Sequence, residues 1–287
     1  MIIIVLLFFI MCCNARENTK PQVEQVHVGN FALPASQQPG PLVGFGQNII
    51  DKGDVQFFVY PDQLKGKQKN FIEVAPSLLY AFSDKCSLFI EQSVAAKFKV
   101  GPFTSHGLED LLIQLEGLLY SHETIDKVNA LTLVANITLP TGSAFKVPPT
   151  GFGAPSFFIG FTASHTQLDW YLFTAYAGII TTQHKNSKFG NQFLYQYGLS
   201  KNICYKADKW LFNWMVELDG IYRQRNKFRG VIDADSGGNI VLLGPSLWFS
   251  TQRLILQLGI SAVVSEHLFG LQTKDSYFLA ADVGWKF

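Results

Sequence analysis

Residues 276–287, Ser-Tyr-Phe-Leu-Ala-Ala-Asp-Val-Gly-Trp-Lys-Phe (SYFLAADVGWKF), close the chain and decide its fold class. One alternate set is Tyr277, Leu279, Ala281, Val283, Trp285 and Phe287, all apolar or aromatic. The other set is Ser276, Phe278, Ala280, Asp282, Gly284 and Lys286, mostly small or charged. A period of two over this length is a strand with one apolar and one wet face. A soluble sheet has little reason to end on a Trp and a Phe turned away from a charged interior. A transmembrane barrel strand does, because its rings sit in an interfacial girdle.

The rest of the composition agrees with a barrel wall. Hydrophobic residues are 48% of the 287 and charged residues 16%, below the usual quarter. Aromatics reach 14%, with 25 phenylalanines. The apolar residues are interleaved with Ser, Gln, Asn, Gly and Thr instead of being gathered into long runs. A formal charge of +1 and the lack of a basic, aromatic-interleaved patch exclude a nucleic-acid partner.

The opening run MIIIVLLFFIMCCNA reads as a secretory signal peptide over 1–15, with cleavage after Ala15. Its apolar stretch of about 13 residues is short of the roughly 20 that a membrane helix needs. Cys12 and Cys13 fall in this leader. Met11 stands where a lipoprotein would carry a small residue before its modified cysteine. Cys86 and Cys204 remain, isolated, without metal-ligand spacing, and read as structural thiols or a lone disulfide. Residues 16–53 have another texture, with Pro21, Pro34, Pro39 and Pro41 among Gly and Gln and little alternation. They form an irregular segment, either a plug inside the barrel with Phe31, Leu33, Leu42 and Phe45 as an apolar site, or a periplasmic tail. Gly44-x-Gly46 lacks the third glycine, strand and helix of a dinucleotide loop.

Residues 54–287 then carry alternating segments at even spacing. The strands expected are 54–60, 71–82, 87–100, 108–120, 128–139, 156–164, 168–181, 189–200, 210–223, 240–250, 254–265 and 276–287. The first is short and the facing of 168–181 is ambiguous. This is an all-β chain: a transmembrane antiparallel up-and-down β-barrel of about twelve strands, of outer-membrane type. With Phe287 on the periplasmic side, the short connections 83–86, 121–127, 165–167, 201–209 and 251–253 fall inside. The longer ones, 140–155, 224–239 and 266–275, fall outside, and parity then requires the strand at Asp54. Twelve strands about 4.8 Å apart, tilted about 40°, give a Cα diameter of roughly 24 Å, enough for small solutes.

Three short motifs resemble one family. Gly107-Leu108-Glu109-Asp110-Leu111 resembles a G-x-G-D-L strand entry, with Glu109 where glycine is usual. Pro140-Thr141-Gly142 matches a Pro-Thr-Gly at a strand-to-loop junction, and Gly244-Pro245-Ser246-Leu247 a late proline-containing pair. Over residues 71–287 the chain resembles the outer-membrane family named for the MetA pathway of phenol degradation. That resemblance implies an outer-membrane channel associated with aromatic or hydrophobic compounds. Physically, Pro-Thr-Gly marks a strand end, and Asp110 is placed to cap the adjoining loop by accepting backbone N–H bonds.

Catalysis finds little purchase. His27, His106, His122, His165, His184 and His267 include no His-Glu-x-x-His pair for zinc, so neither metal nor cofactor is expected. His122 and His165 fall in the inner turns of this layout, and His106, His184 and His267 in the outer loops. A barrel lipase could draw on Ser105-His106 or Ser265-Glu266-His267, and a barrel protease on Asp233 and Asp235. These read better as solvated loop residues, so the chain is not expected to be an enzyme. The inward polar set is Glu73, Glu91, Lys97, Lys99, Asp110, Gln114, Glu116, Asn136, Gln192, Gln196, Asn213, Glu217, Asp219, Arg223, Gln257, Asp282 and Lys286. Its mixed signs predict a hydrated lumen with internal ion pairs that braces the wall or tunes a pore. The expectation is a monomeric channel in the outer membrane of a Gram-negative bacterium. Its partners are outer-membrane lipid, a small-molecule solute, and the barrel-assembly machinery through Phe287. A lipase or protease, or a surface adhesion barrel, is the alternative.

Overall fold

The computed structural model describes residues 27–46 and 48–287, so the signal peptide expected at 1–15 lies outside the described residues. Fourteen strands follow two short 3-10 turns. They are β1 (Val55–Gly66), β2 (Lys69–Ser83), β3 (Cys86–Val100), β4 (Phe103–Glu123), β5 (Lys127–Leu139), β6 (Ser156–Gln167) and β7 (Trp170–Thr181). Then come β8 (Gln192–Lys206), β9 (Trp210–Arg223), β10 (Lys227–Phe228), β11 (Val231–Ile232), β12 (Gly238–Thr251), β13 (Leu254–Leu268) and β14 (Asp275–Lys286). Twelve of them close an antiparallel barrel in chain order, β14 pairing with β1, while β10 and β11 form a small hairpin in the loop before β12. Closure pairs the edge strands, the requirement for a sheet in hydrocarbon.

The first strand runs further than its alternation suggests, through Pro61 to Gly66. Its pairing with β2 is continuous, Pro61 lying opposite Val74. Its pairing with β14 lapses at Tyr60 and Pro61, where proline has no N–H to give. The connections at 84–85, 124–126, 168–169, 207–209 and 252–253 are all short and share one rim with Phe287. The opposite rim carries 140–155, 182–191, 224–237 and 269–274. It also carries two equally tight turns, 67–68 and 101–102, closed by left-handed backbone at Gln68 (φ 62°) and Gly101 (φ 56°).

The closing strand keeps the two faces read from it: Leu279, Val283 and Trp285 are exposed on the outer wall, while Ala280 and Asp282 are buried. Neighbouring strands extend the apolar wall with Phe57, Leu78, Leu247, Leu258 and Ile260. β7 reads ambiguously because both its faces are apolar: Tyr171, Phe173, Ala175 and Ala177 are buried inside.

Lys97 and Lys99 do not line the lumen. Glu73 pairs with Ala95 but Ile72 pairs with Lys97, and Ala95 pairs with Gly107 but Phe98 with Ser105. Both neighbours therefore skip Ala96, a β-bulge that resets the alternation by one residue. Phe98 turns inward against Phe71, with ring centroids 5.0 Å apart, and Lys97 and Lys99 turn outward, exposed. Both signs remain in the lumen only toward its rims. The ion pairs of the barrel lie near its rims, Lys69 with Asp275 at 2.7 Å on one and Lys286 with Asp54 on the other.

Several histidines also move. His106, His122, His165 and His267 sit on strands, because β4, β6 and β13 run past the expected ends. Cys86 on β3 and Cys204 on β8 are far apart in the barrel order, so they do not form the lone disulfide.

Candidate functional site

The lumen is occupied by a segment of residues 27–46 and 48–54. His27 bonds Asp208 in the turn between β8 and β9 at 2.6 Å, and Asn30 N–H donates to Leu168 O at 2.6 Å, both on the short-turn rim. The segment rises to a bend at 40–46 and returns to the same rim, where Gly53 N–H donates to Ala81 O at 3.0 Å. Phe31, Leu33 and Ile50 are buried by it, Ile50 in a cluster with Phe58, Leu79, Phe89, Trp248 and Ile255. Apolar packing around Ile50 and the polar contacts of Asn30 together seat the segment near the short turns.

Six of the seventeen polar residues expected to face inward, Glu116, Gln196, Asn213, Glu217, Gln257 and Lys286, instead hold this segment. Glu217 accepts from Leu42 N–H at 2.7 Å and Val43 N–H at 3.2 Å. Glu116 accepts from Asn48 N–H at 3.0 Å and Asn48 Nδ2 at 2.7 Å. Gln196 and Gln257 donate to Val43 O and Gly40 O, each at 3.3 Å, and Asn213 donates to Asn30 Oδ1 at 2.6 Å. Thr162 donates to Phe45 O at 2.6 Å, beneath an edge-to-face contact of Phe45 with Phe158. Behind these, Asn136 donates to Gln114 and Gln114 to Glu116, while Gln196 also donates to Asp219. The bend carries backbone amides that no longer pair with a strand, and buried amides need partners. Thr162 was missed by the sequence reading; an inward Thr facing a glycine-rich bend is a weak signal.

Asp110 serves the loops. Its carboxylate accepts from Gly142 N–H at 2.9 Å and Phe152 N–H at 2.7 Å, while Thr141 Oγ1 donates to Glu109 O at 2.7 Å. The two motifs at 107–111 and 140–142 are therefore one device that pins the 140–155 loop over the barrel. Replacing Asp110 with Ala removes two charge-assisted bonds, each worth about 1.5–3 kcal/mol. The expected result is fast proteolytic cleavage within 143–151 on a barrel that stays folded; equal protection in Asp110→Ala and wild type would refute the pinning.

The other expected residues divide. Arg223 donates to Gln192 at 3.3 Å at the long-loop rim. Glu73, Glu91 and Asp282 line one cavity of about 700 Å³, together with Asp62, Asp84 and Glu123; among the described residues no Lys, Arg or His lines it. Its wall runs from Phe152 of the outer loop to Asp84 and Glu123 near the short turns, beside the inserted segment. A second cavity of about 1080 Å³ lies among the outer loops.

The candidate catalytic pairs lack working geometry. Ser105 is buried and donates to Pro148 O at 2.6 Å, whereas neighbouring His106 is exposed on the other face of β4. Glu266 is engaged with Asp275 N–H at 2.9 Å, and no hydrogen bond links Ser265 with His267. Asp235 accepts from Leu271 N–H at 2.7 Å and Asp233 from Asp235 N–H at 3.1 Å, so both brace loops. Among the described residues no group of His, Cys, Asp or Glu is arranged to hold a metal.

No family model matches the sequence, and no curated protein matches it. Solved structures do. An outer membrane channel from Pseudomonas putida F1 aligns with a TM-score of 0.66 at 12% identity, over 87% of this chain and 99% of that one. The fold is that of an outer-membrane β-barrel. The NanC porin aligns with a TM-score of 0.50 at 10% identity, over 80% of this chain and all of that one (100%). The twelve-strand closure and the apolar outer wall described above are what this outer-membrane barrel has in common with a membrane-embedded sheet.

Proposed function

We propose that this chain is a channel of the Gram-negative outer membrane, passing small solutes by diffusion along the crevice between barrel wall and inserted segment. The observation that carries the reading is the cavity whose lining reaches from Phe152 at the outer loops to Asp84 and Glu123 at the short turns. A purely structural barrel has no need of it. The similar P. putida protein is described as an outer membrane channel and the NanC protein as a porin, which supports the same role. The motifs at 107–111, 140–142 and 244–247 support the phenol-degradation family and with it an aromatic or hydrophobic solute. In this reading the short-turn rim faces the periplasm, the leader directs export, Phe287 is read by the assembly machinery, and the barrel works as a monomer.

The test is the full mature chain refolded into planar bilayers. Small, discrete conductance steps are expected, and liposome swelling should rank aromatic acids, fatty acids and sugars by permeation. A folded barrel with no conductance and no swelling would refute the channel.

A further inference from the structure

The cavity beside the inserted segment has one sign of charge, and its carboxylates are grouped. Four adjacent strands contribute one each: Asp282 from β14, Asp62 from β1, Glu73 from β2 and Glu91 from β3. Asp62 lies directly opposite Glu73 in the ladder, where the side chains of paired residues on one face meet. Carboxyl groups in such contact hold a proton or a cation between them. The register of β1 and β14 puts Tyr60 beside Asp282. Asp282 is 7% exposed, lines the same cavity, and its Oδ1 has no hydrogen-bond partner.

A buried carboxylate without a partner is costly, and a structure retains it where something else completes it. The lumen does not: among the described residues no Lys, Arg or His lines the cavity, and the inward lysines Lys69 and Lys286 are committed to Asp275 and Asp54 at the two rims. The same wall carries Tyr60, Leu112, Phe158 and Phe278 as an apolar surface beside its amide and hydroxyl side chains. The outer cavity has basic groups instead, Lys146, Lys185, Lys188, Arg223 and Arg229, with Asp233 and Asp235 turned to loop bracing. A guest therefore meets a basic mouth first and an acidic throat second.

We infer that the arc of Asp282, Asp62, Glu73 and Glu91 is a binding site for an organic cation, an ammonium group carried on an apolar or aromatic body. The inference deepens the channel reading and rests on it for the route of entry, but binding itself needs no conductance. The ammonium sits among the carboxylates and completes Asp282, while the body lies on Tyr60 and Phe158. The volume of about 700 Å³ suits such a guest.

The experiment is calorimetric titration of the detergent-refolded full chain with phenethylamine, benzyl alcohol and phenylacetate, repeated with Asp282→Asn and Glu73→Gln. Both variants keep side-chain shape, and gel mobility of the unheated barrel reports folding. Phenethylamine is expected to bind at least about tenfold more tightly than benzyl alcohol, a difference of about 1.4 kcal/mol. Each variant is expected to erase most of that advantage. Equal binding of amine and alcohol, tighter binding of phenylacetate, or an amine preference that survives both folded variants would overturn the inference. Because the heat is measured in detergent, a chain that conducts nothing but binds the amine would sink the channel and leave the site standing.

Discussion

Replacing Glu217 with Ala is expected to raise the single-channel conductance several-fold while leaving the barrel folded. Glu217 is 3% exposed and accepts from two consecutive backbone N–H groups at the bend of the inserted segment. Charge-assisted bonds of this kind contribute about 1.5–3 kcal/mol each, and truncation leaves both donors buried without an acceptor. Nothing in the ladders of β8, β9 and β12 depends on that carboxylate. The loss therefore falls on the segment, and residues 40–46 should become cleavable by protease from the short-turn side. Glu217→Gln retains an amide oxygen but offers an N–H where the second donor points, so an intermediate conductance is expected. Wild-type conductance with a fully protected segment in Glu217→Ala would refute the latch.

The second large effect is expected at the seam where the barrel closes. Gly284 on β14 lies opposite Phe58 on β1, and the ring of Phe58 covers the glycine. A Cβ built at 284 would meet Phe58 Cδ1 at 2.7 Å and Ile255 Cβ at 3.2 Å. Phe58 and Ile255 both belong to the cluster around Ile50, so Gly284→Val pushes a ring and a strand apart together. Overpacking of this sort costs about 1–3 kcal/mol, and here it acts on the pair of strands with the greatest separation along the chain. A lower urea midpoint and a larger fraction of heat-insensitive, unfolded gel mobility are the expected readouts. Gly178→Ala is the companion control, since a Cβ there meets nothing within 4 Å. Equal stability of the two variants would show that the seam tolerates bulk.

The barrel was legible because lipid enforces a rule on every outward position, and a strand's period of two writes that rule into the sequence. β13 and β14 show it cleanly. β7 does not, since Tyr171 and Phe173 face the inserted segment and are apolar for a different reason. Lys97 and Lys99 misled because the bulge at Ala96 has no compositional mark: an extra alanine looks like one more strand residue. Two lysines moved across the wall change a lumen of mixed sign into one whose central cavity is acidic. The roles of Glu116 and Glu217 were hidden for another reason. Each binds backbone amides, which every residue carries, so the partner segment leaves no complementary side-chain signature in the chain. The Asp110 cap was within reach because an acid at the expected start of a strand can accept from loop amides, here Gly142 and Phe152 beyond the next strand.

The inserted segment enters beside Asp208 and leaves beside Ala81, both on the same rim. It is a loop pushed in, not a thread passed through. A pull on its amino-terminal side can draw it out bend-last, breaking its bonds to Glu217, Gln257 and Gln196 one after another without parting a single pair of strands. The mechanical work of clearing the lumen is thus separable from the stability of the wall, and both ends of the segment lie on the one rim from which it would be applied.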